Sequence, residues 1–273
     1  MTTDQVYGLA AGLLSAFVFG VAAVAQAHGV RRTSASPDRL SEFVRTSVRD
    51  AWTWAVLLAY LVGFLLHAVA IWLLPLYLAQ ATIAMSLPVT AFASRRLAEH
   101  LDGAQWSSIG LVTGGLVLLS LGSGEAGSVR TDAEFVLSLW AGVALLAAAS
   151  TLAGRLGGAG LGTLAGLGYA GSAIAVRGVG TPIDAGTVLA ALAVPSLSLV
   201  AFWLYSRGMA GSSISATTAP MIVGQTFVPA FIGVALLGDG VREGWWWSVV
   251  LGLVLSSVGA VRLTRAQAGQ PVG

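Results

Sequence analysis

Runs of roughly 20 mostly apolar residues recur along the whole chain, separated by brief polar breaks, and each is long enough to cross the hydrocarbon core of a bilayer. A helix satisfies its own backbone hydrogen bonds in lipid, so it is the predicted form of every run. The pattern predicts an all-α, polytopic membrane protein with about nine transmembrane helices, at residues 6–28, 52–74, 76–97, 105–121, 134–153, 157–178, 186–206, 212–237 and 245–263. The longest break holds Arg31, Arg32, Arg39, Arg45 and Arg49 among Ser, Asp and Glu. It reads as an amphipathic segment, 30–50, lying on the cytoplasmic membrane surface, not as a domain.

Composition agrees with the pattern. Hydrophobic residues make up 56% of the 273 positions and charged residues 10%, a balance that would leave a water-soluble domain with large exposed apolar patches. The pI is about 9.4, but the net charge is only +2 and the arginines sit at the ends of apolar runs. They read as topology signals, and no nucleic-acid partner is expected. Cysteine is absent, which excludes disulfides, thiolate metal sites and a thiol nucleophile.

Counting basic residues on alternate breaks gives eleven on one side and three, Arg130, Arg177 and Arg242, on the other. Cytoplasmic loops retain Lys and Arg, so the expected topology has the N-terminus outside and the C-terminus in the cytoplasm of a cell that places the protein in its cytoplasmic membrane. Ala25-Gln26-Ala27 resembles a signal cleavage site, yet the first residues carry Asp4 and no Lys or Arg, and the apolar run is longer than a signal h-region. The first run is expected to be retained as a span.

An internal echo adds organisation. The stretch from Leu97 through Glu99 and Gly103 to Trp106 aligns with Leu237 through Asp239 and Glu243 to Trp246 at a shift of 140, each following a Pro-containing run and opening a Gly- and Leu-rich one. Spans two to four then recur as spans seven to nine. Five crossings is an odd offset, so the copies are inverted in the membrane, an arrangement typical of transporters. The expected halves are 1–122 with four spans and 123–264 with five, followed by a short tail, 265–273.

A Pro-containing span, an acidic connector, a Trp and a Gly-rich span together resemble the drug/metabolite transporter (EamA-like) superfamily over nearly the whole chain. Trp52-Thr53-Trp54, Gly63, Pro75, Pro88 and Arg96-Leu97-Ala98-Glu99 are similar to its NIPA-like magnesium transporter branch. The resemblance implies two inverted halves and transport, and the branch implies magnesium. That branch carries a Gly-Glu pair in the second span, where this chain has Gly63-Phe64, and an Asn where it has His67. Magnesium prefers oxygen ligands, carboxylates among them, and all twelve acidic residues fall in predicted loops or at span ends.

Candidate site residues come from polar positions inside the runs. His67 is an ionisable side chain well inside a span, with Gly63 and Tyr60 on its helical face. Thr82, Ser86 and Thr90 follow at four-residue steps beside Gln80 and Pro88; Ser215, Thr218 and Gln225 share a face near Pro220 and Pro229. Two Pro-interrupted, hydroxyl-bearing spans in corresponding halves are where a midplane site is sought. Arg177, on the side poor in basic residues, is the remaining candidate for contact with substrate or lipid head groups. The glycine stripes Gly158, Gly162, Gly166 and Gly110, Gly114 predict close helix packing, within the monomer or in a homodimer. Trp245, Trp246 and Trp247 read as interfacial anchors.

No Walker loop, His-Glu-x-x-His pair or soluble cofactor domain occurs, so neither enzyme activity nor a cofactor is expected. The expected function is a secondary transporter or facilitator of a small polar organic solute by alternating access, with His67 as a coupling-proton candidate. The alternatives are a NIPA-like magnesium transporter, and a lipid or lipid-linked-sugar flippase or its membrane scaffold.

Overall fold

The apolar runs form helices whose ends are set by caps and prolines. The computed structural model describes residues 2–32, 50–94, 103–128, 131–180, 182–211 and 214–268. Its helices are α1 (Thr3–Arg32), α2 (Ala51–Leu73), α3 (Leu76–Ala84), α4 (Ser86–Ser94), α5 (Gly103–Leu121), α6 (Ala133–Ser150), α7 (Gly158–Arg177), α8 (Ala185–Gly211), α9 (Ile214–Leu236) and α10 (Trp246–Ala268). Asp50 starts α2 by accepting from the backbone N–H of Trp52 and Thr53 at 3.4 and 3.0 Å, and Asp132 starts α6 through that of Phe135 at 2.9 Å. Leu74, held extended at φ −123° and ψ 153° before Pro75, separates α2 from α3.

Among the described residues, five helical stretches are long and apolar enough to cross a membrane: Thr3–Gln26, Ala51–Leu73, Ala133–Ser150, Gly158–Arg177 and Ala185–Ala210. These are the first, second, fifth, sixth and seventh predicted runs. The other four runs coincide with shorter apolar stretches, Leu76–Thr90, Trp106–Leu121, Pro220–Leu236 and Trp246–Arg262. The third run departs most from expectation. A turn at Met85, whose N–H bonds Thr82 O at 3.1 Å, divides it into α3 and α4, and Pro88 three residues later cannot supply the N–H of a continuous helix. α1 extends to Arg32 and so takes in the start of the predicted surface segment 30–50. Residues 33–49 of that segment, the first copy of the repeated connector at 95–102, and 269–273 of the tail lie outside the described residues.

α3 is the hub. Leu76, Tyr77, Leu78, Ala79 and Ala81 have no exposed surface, so this helix is enclosed by protein on every side. Around it, α1 packs along α2 and α3–α4, α7 packs along α8 and α9, α5 lies against α10, and α3 lies against α9. Renaming α1, α2, α3–α4 and α5 as α7, α8, α9 and α10 reproduces the same neighbour relations. α6, packed on α7 and α8, has no counterpart.

Small residues make these approaches possible, as lipid-embedded helices require. A Cβ at Gly166 would come within 2.5 Å of Met221 O, and one at Gly162 would strike Thr217 O, so the predicted α7 stripe seats α9. The α5 stripe is different: a Cβ at Gly110 or Gly114 meets nothing within 4 Å, and Gly115 and Gly122 make the contacts with α10 instead. A Cβ at Gly252 would come within 2.8 Å of Leu119, and one at Gly259 within 2.8 Å of Val112. These two contacts exchange when 140 is added to one partner and subtracted from the other.

Candidate functional site

Polar side chains in an apolar helix pack must find partners among themselves. At one end of the bundle nearly all of them do, Arg177 Nε being buried with no hydrogen-bond partner. The 122–128 segment pairs with the α9–α10 connector through Gly240 N–H to Glu125 O at 2.9 Å and Arg242 N–H to Gly122 O at 3.0 Å, and Gln5 Nε2 donates to Gly124 O at 3.0 Å. Beneath this layer Arg177 Nη2 donates to Asp239 Oδ1 at 2.9 Å and to Leu74 O at 3.1 Å. Asp239 also accepts from Gly127 N–H at 2.8 Å and from Leu76 N–H at 2.6 Å, and so caps α3, whose preceding Pro75 has no capping side chain. Tyr77 Oη donates to Gly240 O at 3.0 Å and accepts from Gly124 N–H at 3.2 Å. This connector end joins five segments of the chain around one buried ion pair.

A second polar level lies toward the far end. Tyr60 Oη donates to Gln26 Oε1 at 2.6 Å, and Gln26 Nε2 donates to Ser206 Oγ at 2.8 Å, a relay from α2 through α1 to α8. Tyr205 Oη and Thr218 Oγ1, 2.8 Å apart, tie α8 to α9. Phe19 and Phe202 flank Tyr60 with ring centroids at 5.8 and 5.7 Å.

Between the two levels, polar groups are left over. His67 Nε2 stands 3.2 Å from the Gln80 side-chain amide, one hydrogen bond whose direction follows the imidazole tautomer. His67 Nδ1 is buried and has no hydrogen-bond partner, and the same holds for Thr226 Oγ1 on α9; Thr217 Oγ1, beside Thr218 at the far level, and the indole Nε1 of Trp140 and Trp203 are likewise unpartnered. Thr226 lies about 12 Å along α9 from Thr218, eight residues at 1.5 Å each, toward the connector end. Native interiors leave few such atoms, so each calls for a reason.

No family model, curated protein or solved structure matches this chain. Function therefore has to be argued from placement.

The nine candidate residues fall into distinct positions. His67 and Gln80 meet; Tyr60 and Thr218 belong to the far level; Arg177 belongs to the buried ion pair. The face bearing Tyr60, Gly63 and His67 turns toward α1, where Ser15 Oγ donates to Gly63 O at 2.7 Å and Phe19 lies edge-on to His67. Thr90 Oγ1 donates to Ser86 O at 2.8 Å and to Gly20 O of α1 at 3.3 Å, and Ser86 is half-buried. Gln225 is buried on α9, and the Ser215 side chain lies outside the described residues. A separate groove of about 860 Å³ between α6, α7 and α9 includes none of the nine.

Three residues that matter here escape a reading of the sequence alone. Gln26 sits inside the Ala-Gln-Ala motif that suggests cleavage. Asp239 falls in a connector, where an acid is expected to be solvated, yet it is buried. Thr226 was detectable: it is Ser86 shifted by 140, a hydroxyl on a hydroxyl.

Proposed function

We propose that the chain is a secondary transporter or facilitator for a small polar organic solute, of the drug/metabolite transporter type, with nine spans in two inverted sets that rock about a site between them. The carrying observation is the unpartnered His67 Nδ1 and Thr226 Oγ1, buried between two hydrogen-bonded polar levels. A polar solute with acceptor oxygens would complete these groups, whereas a fixed structural role leaves them unsatisfied at about 1–3 kcal/mol each. The neighbour relations that repeat under a shift of five crossings, and the paired contacts of Gly252 and Gly259, support inverted halves. In the proposed topology the connector end faces outside and the far end the cytoplasm.

Alternating access then assigns a role to each level. The Asp239–Arg177 junction closes the outer side and the Tyr60–Gln26–Ser206 relay closes the cytoplasmic side. His67 is the coupling-proton candidate. A thermal-shift screen of the purified protein against amino acids, sugars, lipid-linked sugars and divalent ions tests the reading, because a ligand must bind the folded state to stabilise it. A polar organic ligand whose stabilisation is lost in Thr226→Val supports it; stabilisation by magnesium alone would replace it with ion transport. If proton-dependent uptake into proteoliposomes persists in His67→Gln, the coupling role is gone.

A further inference from the structure

The groove between α6, α7 and α9 is apolar along nearly its whole length, with Leu139 and Leu146 of α6, Leu167 and Ile174 of α7, and Ile232 and Leu236 of α9 in its walls. Phe135, Leu139, Gly142, Leu146 and Ala149 follow at helical steps, so one full face of α6 stands on the groove. From Phe135 to Ala149 that face measures about 21 Å at 1.5 Å per residue, more than the ~15 Å that one leaflet contributes to a ~30 Å core. Its rims open sideways, where Leu145 and Leu236 are 71% and 75% exposed. Polarity is confined to one end, at Ser128, Asp132, Glu134 and Ser138, and among the described residues no basic side chain lines it.

In a bilayer such a space fills with hydrocarbon. Left empty, its walls forfeit dispersion contacts, and water there would find no polar partners along most of the length. A groove of about 860 Å³ with an apolar face of this length has room for acyl chain along α6. We propose that the groove holds a phospholipid with a primary-amine head group, its acyl chains along the α6 face and its ammonium at Asp132 and Glu134. An ammonium brings charge and N–H donors to two carboxylates, and the Ser128 and Ser138 hydroxyls are available to its phosphate. A choline head group lacks those donors, and an anionic one sets its charge against the carboxylates. The site rests on membrane embedding alone and stands or falls apart from transport.

The test uses the purified, delipidated full chain and matched-chain phosphatidylethanolamine, phosphatidylcholine and phosphatidylglycerol, with melting temperature as the readout. Phosphatidylethanolamine should raise Tm by several degrees more than the other two. Gly142→Leu fills the groove without a backbone clash, since a Cβ there meets nothing within 4 Å, and should abolish the response to all three lipids. Glu134→Gln, at an exposed position, should lower the phosphatidylethanolamine response to that of phosphatidylcholine. If Gly142→Leu does not fold, Leu145→Trp on the exposed rim takes its place with the same expectation. Equal stabilisation by the three lipids, or an unchanged response in the filled groove, overturns the proposal.

Discussion

The junction at Asp239 and the interior around His67 are both buried and polar, but they are finished differently. Both oxygens of Asp239 are engaged, by Arg177, Gly127 N–H and Leu76 N–H. The His67 imidazole keeps one bond, to Gln80, while its Nδ1 and, on α9, the Thr226 hydroxyl have none. Stability alone accounts for the first arrangement, because breaking any part of it leaves another part orphaned. It does not account for the second, which would gain from apolar substitutes of the same shape. The contrast separates groups bonded into the structure from groups that the proposed transporter would satisfy with its solute.

Asp239→Ala should have the largest effect on stability, because it strands Arg177 as a buried, unpaired cation and uncaps α3. A loss of about 3–5 kcal/mol is expected, read as a fall in Tm in detergent, and Arg177→Ala should cost less when added to it than alone. Gly166→Leu should follow, at about 1–3 kcal/mol, because the added side chain must push α9 away from Met221 O. Gln26→Leu breaks two interhelical hydrogen bonds worth on average roughly 0.6 kcal/mol each, and should lower Tm less than Asp239→Ala does.

Thr226→Val sharpens the comparison, since it should cost no stability, or add a little, while removing solute-dependent stabilisation. A clear loss of Tm in that variant would show that the hydroxyl is structural after all. Gly114→Ala should be smallest, within about 0.5 kcal/mol, because its Cβ enters open space.

The helices were legible because apolar runs of spanning length leave little choice of secondary structure, and Trp106 and Trp246 mark in sequence the shift of 140 on which the proposed inverted halves rest. The Asp239 junction was not. The partners of Asp239, Leu76, Gly127 and Arg177, lie 62 to 163 residues away along the chain, and two of the three contribute backbone groups, which carry no residue signature. Nor was the break at Met85 legible, since Pro88 marks a disturbed helix without saying where the chain turns. The groove was invisible for another reason: α6 has the same composition as any span, and only its stand-off from α9 creates the space.

Two closures with a site between them form the central claim, and the absence of cysteine permits a direct test of it. Thr226→Cys places a single thiol between the levels, at a position 2% exposed. In proteoliposomes of known orientation, its labelling by a membrane-impermeant maleimide is measured from each side. Combined with Asp239→Asn, labelling should rise from the outer side alone; combined with Gln26→Ala, from the cytoplasmic side alone. Labelling that rises from both sides at once, or from neither, would contradict the account.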